Sequence, residues 1–257
     1  MAPPIVVMRL GFPLMLLAVV LVSGTIGWAL SQGSAPARAP IARRAHRPAG
    51  PPQLPNGWNY IAVANSRTLA VYRSAGASQP FSTLSRRLSA GSPLSLLVHR
   101  TRRRWYEVYL PVRPDGAKAW VRASDVKLLT TAYWLVVQLH SHRLVLDISG
   151  RFSRSFSIGV GQSVTPTPTG TYFITELLKQ PDPNGLYGPY AFGLSAYSGV
   201  LRHFGQGGNG QIGIHGTNEP QLVGTDVSHG CIRLRNPDII WLTRRLPLGT
   251  PVVIEHT

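Results

Sequence analysis

From about residue 56 onward, apolar and polar positions alternate with a period near two, the spacing of half-buried β-strands. Trp105–Leu110 (W-Y-E-V-Y-L) is the plainest example. It is followed by the turn signal Pro114-Asp115-Gly116 and a second strand at Ala119–Arg122. Tyr60–Val63, Leu69–Tyr72 and Leu94–Val98 are shorter runs of the same kind. Further on, Tyr133–Leu139 and Arg143–Ser149 predict a hairpin around His140-Ser141-His142. Ser155–Val160, Thr171–Thr175 and Thr250–Ile254 are the remaining strands. One short helix is predicted after residue 235, with Asn236 as its N-cap, Pro237 at its first position and Asp238 at the positive end of its dipole. Ile239, Ile240 and Leu242 supply its apolar stripe. The expected fold is mainly β: a small barrel, then a sandwich-like unit that carries the helix.

Two regions break the pattern. Gln180–Gly210 is rich in Gly, Pro and Tyr and reads as one long functional or mobile loop. Its Tyr187, Tyr190, Phe192 and Tyr197 either line a groove or fill a core beneath the loop. Ser31–Pro55, rich in Pro, Ala and Arg, reads as an extended linker. Before it, Leu10–Leu30 carries no charge and is long enough to span a hydrocarbon core of about 30 Å. It reads as an uncleaved signal anchor rather than a signal cut near Ser34-Ala35-Pro36-Ala37. Either way the remainder is exported. The expected layout is an anchor at 1–31, a linker at 32–55, a first β domain at 56–129 and a second at 130–257.

Charge sharpens this division. The net charge of +16 is concentrated before residue 130, where 17 Lys and Arg face 3 acidic residues; after it, 9 face 7. With no nucleic-acid fold signature, this basicity points to a membrane or wall surface, or to a general preference for Arg (23 Arg against 3 Lys). Arg100, Arg102, Arg103 and Arg104 crowd one hairpin loop, either as a solvated turn or as a contact for an anionic wall polymer.

The chemistry-bearing stretch is Ile212–Leu234, I-G-I-H-G-T-N-E-P-Q-L-V-G-T-D-V-S-H-G-C-I-R-L. It holds the one cysteine, Cys231, with His229 and His215 close by in sequence. A thiol beside a histidine suits nucleophilic catalysis, in which a base takes the thiol proton and sulfur attacks a carbonyl. A buried structural cysteine is the plain alternative. Zinc is a further one, since all three are ligand types, but no Cys-x-x-Cys or His-Glu-x-x-His accompanies them. Asp226 and Glu219 read as solvated loop residues.

His215-Gly216-Thr217, Ser228-His229-Gly230-Cys231, Ile232-Arg233-Leu234 and Asn236 together resemble the signature of the L,D-transpeptidase (YkuD-type) catalytic domain. The upstream run Thr167-Pro168-Thr169-Gly170-Thr171-Tyr172 resembles a recurrent segment of the same family. The resemblance implies Cys231 as nucleophile and His215 as its base, with its second ring nitrogen held by the Gly216 carbonyl. It also implies oxyanion donors at Gly230 and Cys231, and no metal or cofactor. His229, Arg233, Asn236 and Tyr197 are candidate substrate contacts. The implied reaction acts on peptidoglycan stem peptides: an acyl transfer that makes 3-3 crosslinks, or an L,D-carboxypeptidase when water is the acceptor, or transfer to another amine. In the first domain Gly91, Leu94, Trp105, Tyr106, Val108, Trp120, Val121, Asp125 and Val126 resemble bacterial SH3-like domains, which leaves a non-catalytic wall-binding protein as a rival.

Overall fold

The computed structural model describes residues 50–88, 91–203 and 208–257. The expected signal anchor and most of the linker lie outside the described residues. Among the described residues no helix is long and apolar enough to cross a membrane.

The described residues begin with seven strands: β1 (Asn59–Ala64), β2 (Thr68–Val71), β3 (Ser82–Ser85), β4 (Ser95–Arg102), β5 (Trp105–Tyr109), β6 (Lys118–Arg122) and β7 (Val126–Thr131). Five form one sheet in the order β6-β5-β4-β1-β7, while β2 and β3 form a separate hairpin. Alternation explains the core. Tyr106 and Val108 of β5 face inward with Leu96, Val98 and Val121, and Arg102–Arg104 project from the β4–β5 turn. Arg100 is no free cation: its Nε lies 2.6 Å from Glu107 Oε2, and its guanidinium covers the Trp120 ring.

Ten strands and a helix follow: β8 (Tyr133–Gln138), β9 (Arg143–Ile148), β10 (Phe152–Ser157), β11 (Val160–Gly161), β12 (Gly170–Lys179), β13 (Tyr190–Tyr197), β14 (Gln211–His215), β15 (Asp226–Ser228), β16 (Ile232–Arg233), α1 (Asn236–Thr243) and β17 (Pro251–Glu255). Eight of them make a curled sheet in the order β10-β9-β8-β17-β12-β13-β14-β16. Ile239 and Leu242 of α1 close its core against Phe192, Ile214 and Leu234.

Three expectations change. The stretch Gln180–Gly210 is not one loop. β13 lies inside it as an interior strand, with Phe192, Leu194 and Ala196 fully buried. Its alternation is masked because the opposite face carries the small residues Ala191, Gly193 and Ser195. The break at 129/130 falls within β7, from which the chain passes straight into β8. Third, the helix begins one residue early. Asn236 is its first residue, Arg235 stands at the cap position, and no side chain caps it.

The two β units share a seam. Arg113 donates to the carbonyls of Ser198 (2.8 Å) and Asn209 (3.1 Å). Both Asp115 oxygens accept from Tyr197 N–H at 3.1 Å. Phe173 of β12 packs into the core of the first unit.

Candidate active site

The site grows from strand alternation at the open end of the large sheet. Ile212 and Ile214 of β14 point into the core, so Gln211, Gly213 and His215 point to the other face. β16 runs parallel beside it, pairing Ile214 with Ile232 and His215 with Arg233. Ile232 is buried, so Cys231 and Arg233 leave on the His215 face. Cys231 and His215 are therefore diagonal neighbours on adjacent strands, an arrangement that brings side chains within reach of each other.

Each ring and sulfur atom has a defined partner. His215 Nδ1 lies 2.6 Å from the Gly216 carbonyl oxygen. A carbonyl only accepts, so Nδ1 carries the proton and Nε2 keeps a lone pair. Gly213 N–H approaches Cys231 Sγ at 3.4 Å. Burial pulls the His215 imidazole down to about 4, against the Gly216 bond. Burial also pushes the Cys231 thiol up, opposed by Gly213 N–H and the Arg233 charge. Both shifts favour a neutral thiol and a neutral imidazole at rest over a thiolate and an imidazolium.

The Cys231 turn is held from below. Gly230 has φ +119, a conformation that glycine adopts without steric cost. Its N–H donates to Ser228 Oγ at 3.0 Å, and that hydroxyl donates to the Cys231 carbonyl. The expected oxyanion donor at Gly230 thus has a hydroxyl partner in this state, and Gly216 N–H likewise meets the Tyr190 carbonyl at 3.2 Å. Thr167 Oγ1 bridges Gly161 N–H and the Gly230 carbonyl, each at 2.9 Å. The Thr-Pro run upstream is therefore a brace for the cysteine turn.

The other candidates separate. Arg233 Nη1 pairs with Glu219 Oε2 at 2.7 Å, which corrects the reading of Glu219 as a solvated loop residue. Asp226 lies in β15 and meets His142 Nε2 at 2.8 Å, again a partner and not only solvent. Asn236 Oδ1 accepts Thr217 N–H at 2.9 Å, tying the helix to the segment after His215. His229 is exposed beside the cysteine turn. Tyr197 is not at the thiol: its hydroxyl donates to the Pro111 carbonyl at 2.8 Å, in the seam between the β units.

Tyr187 is the aromatic that reaches the site. Its ring stands edge-on to His215 with centroids 4.8 Å apart, and it is 47 % exposed. Nothing in its sequence neighbourhood distinguishes it from Tyr190 or Tyr197. The backbone beneath it is tight. A Cβ at Gly188 would lie 2.3 Å from Asn236 Oδ1 and 2.7 Å from Gly216 Cα. Among the described residues no group of three His, Cys, Asp or Glu side chains is placed to hold a metal ion.

Residues 132–254 match the family of L,D-transpeptidase catalytic domains. The chain is 37% identical over 127 residues to the putative L,D-transpeptidase YkuD of Bacillus subtilis strain 168, across 49% of this chain and 68% of that protein. This chain belongs to the L,D-transpeptidase family. A second relative, the putative L,D-transpeptidase YqjB of the same organism, is 28% identical over 132 residues, 47% of this chain and 70% of its own. A crystal structure of an L,D-transpeptidase from Mycobacterium tuberculosis H37Rv is also similar, at 18% identity and a TM-score of 0.41. That match covers 56% of this chain and 74% of the other. The cysteine turn, the His215 strand and β8 all fall within the transpeptidase domain.

Proposed function

We propose that this L,D-transpeptidase acts outside the cell membrane on peptidoglycan stem peptides and forms 3-3 crosslinks through a thioester on Cys231. The observation that carries the reading is the shared face of β14 and β16. It sets a thiol diagonal to an imidazole whose free nitrogen is Nε2.

With burial favouring the neutral thiol and imidazole, sulfur attacks as His215 Nε2 takes the thiol proton. The target is the carbonyl of the third stem residue. Cys231 N–H is the donor left for the oxygen that becomes negative, since Gly230 N–H is held by Ser228 Oγ. Collapse breaks the bond to the terminal D-residue, whose amine leaves with the proton from His215. An amine of a second stem then attacks the thioester. His215 takes its proton and returns it to the departing thiolate. Arg233, anchored by Glu219, keeps a positive charge close to the sulfur. The exported location and the wall as partner follow from this substrate and from the uncharged stretch Leu10–Leu30.

The test is product analysis by mass spectrometry after incubation with a disaccharide-tetrapeptide. The expected product is two stems minus one terminal D-residue. Release of that residue without a dimer would replace transpeptidation by L,D-carboxypeptidase activity. No reaction, with Cys231 still open to alkylation, would refute the stem peptide as acyl donor.

A further inference from the structure

A row of backbone positions runs across the sheet from Cys231. Gly213 N–H meets Sγ, Gly213 pairs with Gly193 on β13, and Gly193 pairs with Glu176 on β12. A register shift between Ile174 and Glu176 turns Glu176 onto the face that bears Cys231, while Ile174 stays in the core. The two middle positions have no side chain of their own; the Gln211 amide borders the carboxyl there, its Nε2 3.1 Å from where a Cβ at Gly193 would lie. A Cβ at Gly193 would lie 2.9 Å from Glu176 Oε1, so the carboxyl folds over Gly193 in the direction of β14. With strands about 4.8 Å apart, the carboxyl is about 10 Å or less from Sγ.

Glu176 is 7% exposed, and its Oε2 has no hydrogen-bond partner among the described residues. Its neighbours are engaged elsewhere. Gln211 Nε2 bonds Thr175 Oγ1 and the Leu194 carbonyl. Arg113 bonds the carbonyls of Ser198, Leu201 and Asn209 and stacks on Tyr197. Burial alone pushes the Glu176 carboxyl up. A buried carboxyl without a partner is costly, and a cation arriving from outside removes the cost.

We propose that Glu176 is a specificity-determining residue that binds a substrate ammonium group on the glycine floor leading to Cys231. This rests on the acyl transfer proposed above. An ammonium at the end of a four-carbon side chain reaches about 6 Å from its α carbon, which fits a residue whose carbonyl is held at Sγ. The same site suits the incoming amine of an acceptor. The chemistry is shared, and the two reaction steps tell the sources apart.

The experiment uses the full chain and two tetrapeptide donors, one with a free side-chain ammonium on the third residue and one with that nitrogen acetylated. Release of the terminal residue, absent in Cys231→Ala, reports acylation. The wild type is expected to favour the ammonium donor by about tenfold or more in kcat/KM, and Glu176→Gln to bring that ratio near one. If the donors do not differ, the acceptor is the source, and Glu176→Gln should raise the half-saturating amine concentration of aminolysis by about tenfold. Glu176→Asp should recover part of either effect. The proposal is overturned if Glu176→Gln slows both donors alike, as a packing role would, or leaves both steps as in the wild type. No release by the wild type from either donor would refute the acyl transfer itself, and this inference with it.

Discussion

The two halves of the eight-stranded sheet are built on opposite plans. In β10, β9, β8 and β17 the registers run without a shift, and Leu135, Val137, Leu144 and Leu146 fill the core at every second position. In β12, β13, β14 and β16 the register slips twice, beside Glu176 and between Gly193 and Tyr197. Glycines stand at 193, 213, 216 and 230, whereas β8, β9, β10 and β17 contain none. Regular pairing gives the first half its stability. In the second half, missing side chains make room and each slip re-aims a neighbour, as β-bulges beside active sites do. If this is right, substitutions in one half should move stability and substitutions in the other should move chemistry.

The largest separation is expected at the cysteine. Cys231→Ala should lower turnover by about a thousandfold or more while the unfolding transition stays near that of the wild type. Turnover within tenfold of the wild type would remove sulfur from the mechanism. Next is His215→Gln, for which a drop of about a hundredfold or more in kcat/KM is expected. The same variant probes the acid side. A histidine held near 4 in the fold and near 6.5 unfolded contributes stability in full above about 6.5, and loses it as pH falls toward 4. The loss is about 3 kcal/mol, and it should be absent from denaturant titrations of His215→Gln. Equal acid sensitivity in both proteins would show that the imidazole titrates normally.

The regular half supplies the converse. Leu135→Ala, at a fully buried position, should cost about 2–5 kcal/mol of stability with kcat per folded molecule unchanged. A kcat loss as large as that of His215→Gln would end the division between halves. The smallest effect is expected at the joint. Asn236→Ala leaves Thr217 N–H without its acceptor and should cost about 1–2 kcal/mol, with a modest rise in KM.

The same contrast decides what could be read from the chain. The hairpin 133–148 is legible because two strands adjacent in sequence pair with each other and each buries one face. β13 is not, since Gly193 and Ser195 carry no β signal and its partners come from both sides. Cys231, His215 and the Gly216 carbonyl contact lie within one contiguous motif, so their neighbourhood was visible. Glu219 with Arg233 and Asp226 with His142 join segments that are not neighbours in the sequence, and Glu176 over Gly193 depends on a register shift between consecutive strands that nothing in the sequence marks. Asn236 looked like a helix cap because its type suits one. The segment after His215 takes its side chain instead, and only the packed structure shows that choice.

The most direct test of the central claim is the mass of the intact protein, quenched in acid shortly after mixing with a stem tetrapeptide, followed by mapping of the modified peptide. The account predicts an adduct of the donor minus its terminal residue, on Cys231, labile to hydroxylamine and absent from Cys231→Ala. Turnover with an adduct on another residue, or turnover that persists in Cys231→Ala, would contradict it.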